Sequence, residues 1–238
     1  MITRVSSHQP SFFPWAGYWN KFAQSDVHVM SCGVQFDAHG WQNRVKVTDF
    51  MAVLPVEGGS THKLLKHVCY KAEALPKVLA SIRQALTGKK WPGRWAVEQA
   101  LYETEHETAK NRNHCLMDLN IDSMLATAGA LKLLGKTQYV IDTEESLPEL
   151  SKTQRLVARV RRHVPEGRIH YLAGSGALGY IDSSQVPADF ELYVQKPKDG
   201  APPHSILQSI AQGDVAEAMS ERWFEWTKIS PRRGASES

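Results

Sequence analysis

The sequence predicts an α/β fold: a mixed, largely parallel sheet flanked by helices. Three observations point to it. Short apolar or alternating runs recur between amphipathic helical segments, as expected of strand–helix–strand units. Residues from about 74 to 135 keep a helical period with no strand signal, which reads as an inserted helical lobe. The apolar fraction of 42% with seven Trp is enough to fill a core in 238 residues, so residues 1–229 are expected to form one domain.

Ile2 to Ser6 reads as a strand that delivers His8 to a loop at its C-terminal end, the usual place for ligands in an open α/β sheet. Pro10 and Pro14 stiffen that loop, and Ala16 to Gln24 forms a helix with Tyr18, Trp19 and Phe22 inward. Asp26 to Met30 is the next strand. Trp41 to Val47 alternates as a strand should, which puts Gln42, Arg44 and Lys46 on one face, and Met51 to Val56 pairs with it. Gly58-Gly59-Ser60 breaks the chain, and His62 to Tyr70 is strand or irregular.

Pro76 to Leu86, Ala96 to His106 and Asn113 to Leu134 read as helices, with Gly135 as a C-terminal cap. Gln138 to Ile141 is a strand. Ser151 and Gln154 form a capping box for a helix reaching about His163. Ile169 to Leu172 and Phe190 to Val194 are the last strands expected. Ser205 to Ala211 and Val215 to Trp226 are helices, and 230–238 is expected to be a disordered tail. Gly174 to Gly179 fits Gly-x-Gly-x-x-Gly, but Tyr180 to Pro187 is too short for the helix a dinucleotide site needs. A tight loop is the better reading, with the amides of Ser175 and Gly176 still able to cradle an anion.

The net charge of +3 conceals an uneven layout. Gly58 to Trp95 holds eight Lys/Arg against one Glu, Glu98 to Leu150 ten Asp/Glu against four Lys/Arg, and Lys152 to Lys198 eight Lys/Arg against four Asp/Glu. Such a stripe suits a polyanion, and Lys63, Lys66, Lys89, Lys90, Trp91, Arg94 and Trp95 interleave cations with indoles as nucleic-acid surfaces do. Arg159 and Arg162 extend it. Lys152, Thr153 and Arg155 open a capped helix, where cations oppose the dipole unless an anion binds there; the plain alternative is a solvated basic face.

Three widely spaced Cys fit free thiols in a reducing compartment. Ten His include neither His-Glu-x-x-His nor a Cys-x-x-Cys partner set, so no metal is expected. No apolar run of about eighteen residues and no signal-peptide pattern occurs, so a soluble cytoplasmic protein with no membrane partner is expected.

The densest chemistry lies between residues 8 and 46. His8, Gln9, Lys21, Gln35, Gln42, Asn43, Arg44 and Lys46 alternate with Phe12, Phe13, Trp15, Tyr18, Trp19, Phe36 and Trp41. Aromatic walls with a few convergent polar groups are the composition of a small-ligand pocket. His8-Gln9-Pro10, Pro14-Trp15-x-Gly17-Tyr18, Ser25-Asp26-Val27, Val34-Gln35-Phe36 and Trp41-Gln42-Asn43-Arg44 resemble the opening signature of the WbqC-like family, found in bacteria and phages. Looser likeness continues through Asn120 to Gly135, Lys152 to Leu156 and Tyr171 to Asp182, so it runs from about Val5 to Gly213. One departure stands out: Ser31-Cys32-Gly33 replaces a Leu-Asp-Asp-like run, which leaves Asp26 and Asp37 as the nearby acids.

The resemblance implies transfer chemistry on an activated carrier. One branch suggests amino-acyl or acyl transfer to a nucleotide sugar in surface-polysaccharide synthesis. Another suggests attachment of an amino acid, such as glycine, to a 5-phosphomethyl-type uracil in phage DNA during thymidine hypermodification. The basic stripe inclines the expectation to double-stranded DNA carrying a modified pyrimidine, with a free amino acid and no redox or metal cofactor. A plain DNA-binding module is the third alternative. In the DNA reading His8, oriented by Gln9, takes the proton from the amine. Arg44 and Lys46, with Lys21, Lys152 and Arg155, receive the leaving phosphate. Gln35, Gln42 and Asn43 read the base edge, while Trp15, Tyr18, Phe36 and Trp41 stack on the extruded ring. Arg155 or the Ser175-Gly176 loop takes the carboxylate, with Thr153 close by.

Overall fold

The computed structural model describes residues 1–87, 90–110, 113–145 and 149–229. The expected tail at 230–238 and Lys89 lie outside them. Six strands form the main sheet: β1 (Ile2–His8), β2 (Val27–Ser31), β5 (Gln138–Asp142), β6 (Arg168–Ala173), β7 (Phe190–Pro197) and β8 (Phe224–Ile229). Their order is β5-β2-β1-β6-β7-β8. Every neighbouring pair is parallel except β7 with β8. A separate antiparallel hairpin joins β3 (Arg44–Val47) to β4 (Phe50–Val53).

β1 sits mid-sheet, and the chain builds outward from it in both directions. Val5 faces Val27 on one side and Tyr171 on the other. The first connection runs through α1 (Ala16–Ala23), whose Tyr18, Trp19 and Phe22 are buried, while the return crossing uses α5 (Lys152–His163). Leu156 and Val160 of α5 pack with Val5, Val29 and Ile169, whereas Trp19 and Phe22 belong to the other cluster with Met30. The two helices therefore cover opposite faces. In a doubly wound sheet of this order the crevice opens at the C-terminal ends of the two strands where the winding reverses. Here those strands are β1 and β6.

The insertion between β2 and β5 carries the hairpin and three lobe helices, α2 (Leu75–Thr87), α3 (Arg94–Lys110) and α4 (Leu116–Ala130). Leu79, Ile82, Leu101, Leu116 and Met124 join the same apolar cluster as Trp19, so the lobe extends the α1 face of the core. The Ser151–Gln154 capping box forms, with both reciprocal bonds present. Ser205 caps α6 (Ile206–Gln212) by accepting from the Leu207 amide. No helix among the described residues is long and apolar enough to cross a membrane.

Several expectations are corrected. The terminal helix expected over Val215 to Trp226 shrinks to α7 (Val215–Ala218); beyond Ser220 the chain becomes β8, so β7 is not the last strand. Alternation of Phe224 and Trp226 with Glu225 and Thr227 suits a half-buried edge strand, and pairing with β7 satisfies its backbone. The strand expected from Trp41 starts only at Arg44, because Gln42 turns inward to bond the loop. Residues Leu65–His67 form a 3-10 turn. Gly135 takes a left-handed φ of 82° in the turn before β5, while Leu131 caps α4.

The Trp91–Trp95 loop is seated on α6. The Gly93 amide donates to Ala211 O at 2.9 Å, and a Cβ at residue 93 would come within 1.6 Å of Ile210 O. Gly93→Ala is therefore expected to cost about 1–3 kcal/mol through backbone displacement. A urea-unfolding midpoint equal to wild type would show that this contact does not hold the loop.

Candidate functional site

Two cavities meet at His8. The larger, about 710 Å³, lies at the β1–β6 crevice. Ser7, His8 and Gln9 line it from the end of β1, Lys21 from α1, and Lys152, Arg155 and Arg159 from α5. Ser31, Asp37, Tyr171, Gly174, Gly176 and Tyr180 add further polar and loop lining. The smaller, about 320 Å³, is an aromatic slot walled by Phe12, Phe13, Trp15, Tyr18 and Trp41, with Arg44 and Lys46 from β3. His8 lines both. The single mixed pocket expected from the sequence is thus two, one carrying the cations of α1 and α5 and one walled by aromatic rings.

His8 Nδ1 lies 2.9 Å from the Gln9 carbonyl oxygen. A carbonyl can only accept, so Nδ1 carries the proton and Nε2 keeps its lone pair. Burial, and then the neighbouring Lys21 charge, push the His8 pKa down to about 3. It stays neutral at physiological pH and is a weak base. Its ring meets the Tyr18 ring edge-on at 5.3 Å.

Lys21 is 2% exposed, and its Nζ donates to Ser7 O at 3.2 Å. Burial disfavours its ammonium form and lowers the pKa to about 7. An amine that is half neutral near pH 7, beside a cation-lined cavity, can accept a proton there or bind an anion. Ser7 Oγ and the Tyr171 hydroxyl pair at 2.7 Å in the same cavity, and burial raises the Tyr171 pKa.

The proline-stiffened loop is fastened from the lobe. Asn120 Nδ2 donates to Pro10 O at 3.2 Å and to Gln42 O at 2.8 Å. Phe13 holds a left-handed φ of 46°, with its amide 3.4 Å from Ser123 Oγ. Such a conformation in an aromatic residue persists only where its surroundings impose it. Arg44 donates to Ala38 O at 2.8 Å, and its buried Nε has no hydrogen-bond partner among the described residues. Arg44 thus lines the slot with part of its guanidinium already held by the loop.

Other sequence candidates fall elsewhere. Gln35 is exposed and meets His62 at 3.2 Å, and Phe36 is a core residue. Asn43 donates to Leu54 O, bracing the hairpin. Gln42 is buried, accepting from the Asp37 amide at 2.7 Å and donating to Gln9 Oε1 at 3.1 Å, so it orients the loop instead of meeting a ligand. Tyr18 bonds His28 Nε2 at 2.6 Å, which spends its hydroxyl inside the core and leaves its ring as a wall. Thr153 is buried, receiving the Asp182 amide at 2.8 Å and reaching Tyr180 O at 3.4 Å; it ties down the loop after β6. Ser175 is exposed outside the cavity lining, and Gly174 and Gly176 reach it.

Among the cations assigned to DNA, Lys66 pairs with Glu145 at 3.0 Å. Arg162 pairs with Asp142 and Glu144, and Arg159 turns into the polar cavity beside Asp142. Trp91 packs partly against the core. Lys63, Lys90 and Arg94 are exposed, with Arg94 over the Trp95 ring and Trp95 itself 77% exposed. Sequence reasoning missed Ser7, Ser31, Asp37, Tyr171 and Tyr180 as cavity residues: Tyr171 and Tyr180 stood only in a loosely similar segment, and Asp37 was noted as a nearby acid without a role. The position of Ser7 just before His8 at a strand end was the one local clue.

A family model described as the WbqC-like protein family matches residues 9–200. No curated protein and no solved structure matches the chain.

Lys21 also yields a pH signature. Between pH 7 and the ordinary value of 10.5 the unfolded chain holds this proton and the folded chain does not, so stability rises with pH across that window. Lys21→Met is expected to be more stable than wild type at pH 6 by about 1 kcal/mol or more, with a flatter stability profile from pH 7 to 10. Parallel profiles from chemical unfolding would mean the amine is solvated.

Proposed function

The chain belongs to the WbqC-like family, and on that premise we propose that it is a transferase whose two ligands meet at His8. The observation that carries the reading is the sharing of His8 between an aromatic slot with two cations and a polar cavity with four. The finer reading is attachment of an amino acid, glycine foremost, to a 5-phosphomethyl-type uracil in duplex DNA.

In this reading the extruded pyrimidine enters the slot and stacks on the ring walls, as enzymes that act on a base require. Its phosphate meets the Arg44 guanidinium and the Lys46 ammonium, which both line the slot. The amino acid occupies the polar cavity with its carboxylate on Arg155 or Lys152. Its ammonium gives a proton to Lys21, whose pKa of about 7 suits that transfer better than His8 at about 3. The neutral His8 Nε2 accepts a hydrogen bond from the amine and aims its lone pair. The amine nitrogen then bonds the 5-methylene carbon while the carbon–oxygen bond breaks and phosphate departs. Exposed Lys63, Lys90, Arg94 and Trp95 are the duplex contacts in this reading, and a DNA acceptor would be met in the cytoplasm.

A second reading, acyl or amino-acyl transfer to a nucleotide sugar, draws support from the 710 Å³ volume of the polar cavity, far more than glycine fills. One assay separates the two. The protein is incubated with glycine and duplex DNA bearing 5-phosphomethyl-deoxyuridine, and the digested nucleosides are weighed. A glycinyl mass is expected. Arg44→Ala and Lys21→Met should each lower turnover by about 10²-fold or more with DNA binding retained. Unmodified nucleosides with wild-type protein would sink the DNA reading.

A further inference from the structure

We propose that Asp37 is the ammonium-binding residue of the polar cavity, so that the small ligand there carries both an ammonium and an anionic group. This rests on the reading that an amino acid enters this cavity, and it names the residue that selects one.

The cavity is lined by Lys21, Lys152, Arg155 and Arg159, and Asp37 is the one carboxylate among its described lining residues. A carboxylate in such company would ordinarily close an ion pair. Asp37 forms none among the described residues: its Oδ1 accepts the His39 amide at 2.9 Å. The four cations belong to α1 and α5, whereas Asp37 comes from the loop after β2. The cavity therefore offers positive and negative groups from separate elements, which is the charge layout a zwitterion matches and a simple anion does not.

The position of Asp37 is fixed by its backbone. Its amide donates to Gln42 Oε1 at 2.7 Å, and Gln42 Nε2 donates to Gln9 Oε1 at 3.1 Å, which links it to the residue beside His8. Gly40 N donates to Asp37 O at 3.0 Å and closes the turn. A Cβ on Gly40 would meet Asp37 Oδ2 at 2.8 Å, so the glycine leaves the carboxylate its present place.

Calorimetric titration with glycine and with glycolate tests the assignment without any acceptor. The two differ only in an ammonium replaced by a hydroxyl. Wild type is expected to bind glycine about tenfold more tightly than glycolate. Asp37→Asn should bring glycine down to the glycolate level and leave glycolate unchanged or slightly tighter. Gly40→Ala, which only displaces the carboxylate, should give a smaller loss confined to glycine. Equal affinities for the two ligands in wild type, no binding of either, or a preference that survives Asp37→Asn would overturn the proposal. Intact glycine preference with no nucleoside mass change would remove the DNA acceptor and leave Asp37 in its role.

Discussion

Everything in this site depends on where the sheet reverses its winding. β1 has neighbours on both sides, and the connections that leave toward each side cover opposite faces with α1 and α5. No crossing covers the C-terminal ends of β1 and β6, so a crevice opens there. His8 ends β1, Gly174 follows β6, and α5 presents its first turns to the same space. The topology thus gathers residues from positions 7 to 180 into one cavity.

Into that crevice the fold places an amine that burial has made half neutral. Lys21 is held by the Ser7 carbonyl and shielded from solvent, and its charge helps keep His8 neutral. The two groups divide the proton chemistry by environment: a lysine tuned to physiological pH and an imidazole fixed in one tautomer. The cost is borne by the rest of the core, which is large on this face because the lobe extends it.

The lobe has a second task. α4 carries Asn120 and Ser123, which hold the Pro10–Phe13 segment and the residues around Gln42. The slot walls are therefore set by a helix more than 100 positions away in the chain, consistent with the 110-residue separation of the Phe13–Ser123 contact. A preorganised wall of this kind lowers the ordering cost of ligand entry.

What the sequence determined by itself was local. The capping box at Ser151, the inward faces of Tyr18, Trp19 and Phe22, the lobe helices and the tight Gly174 loop all follow from spacing and turn chemistry within a few residues. So did the concentration of rings and amides around His8, although not its division into two cavities. Only the tertiary structure decided that β8 is a strand, because the pairing edge that stabilises it belongs to β7. It alone turned Gln42 inward, committed Arg159 and Arg162 to Asp142, and brought Asp37 and Tyr171 into the same cavity as Lys21. Hydrogen-bond partners and desolvation come from groups distant in the chain, and a sequence read in short windows carries no record of which distant groups will meet.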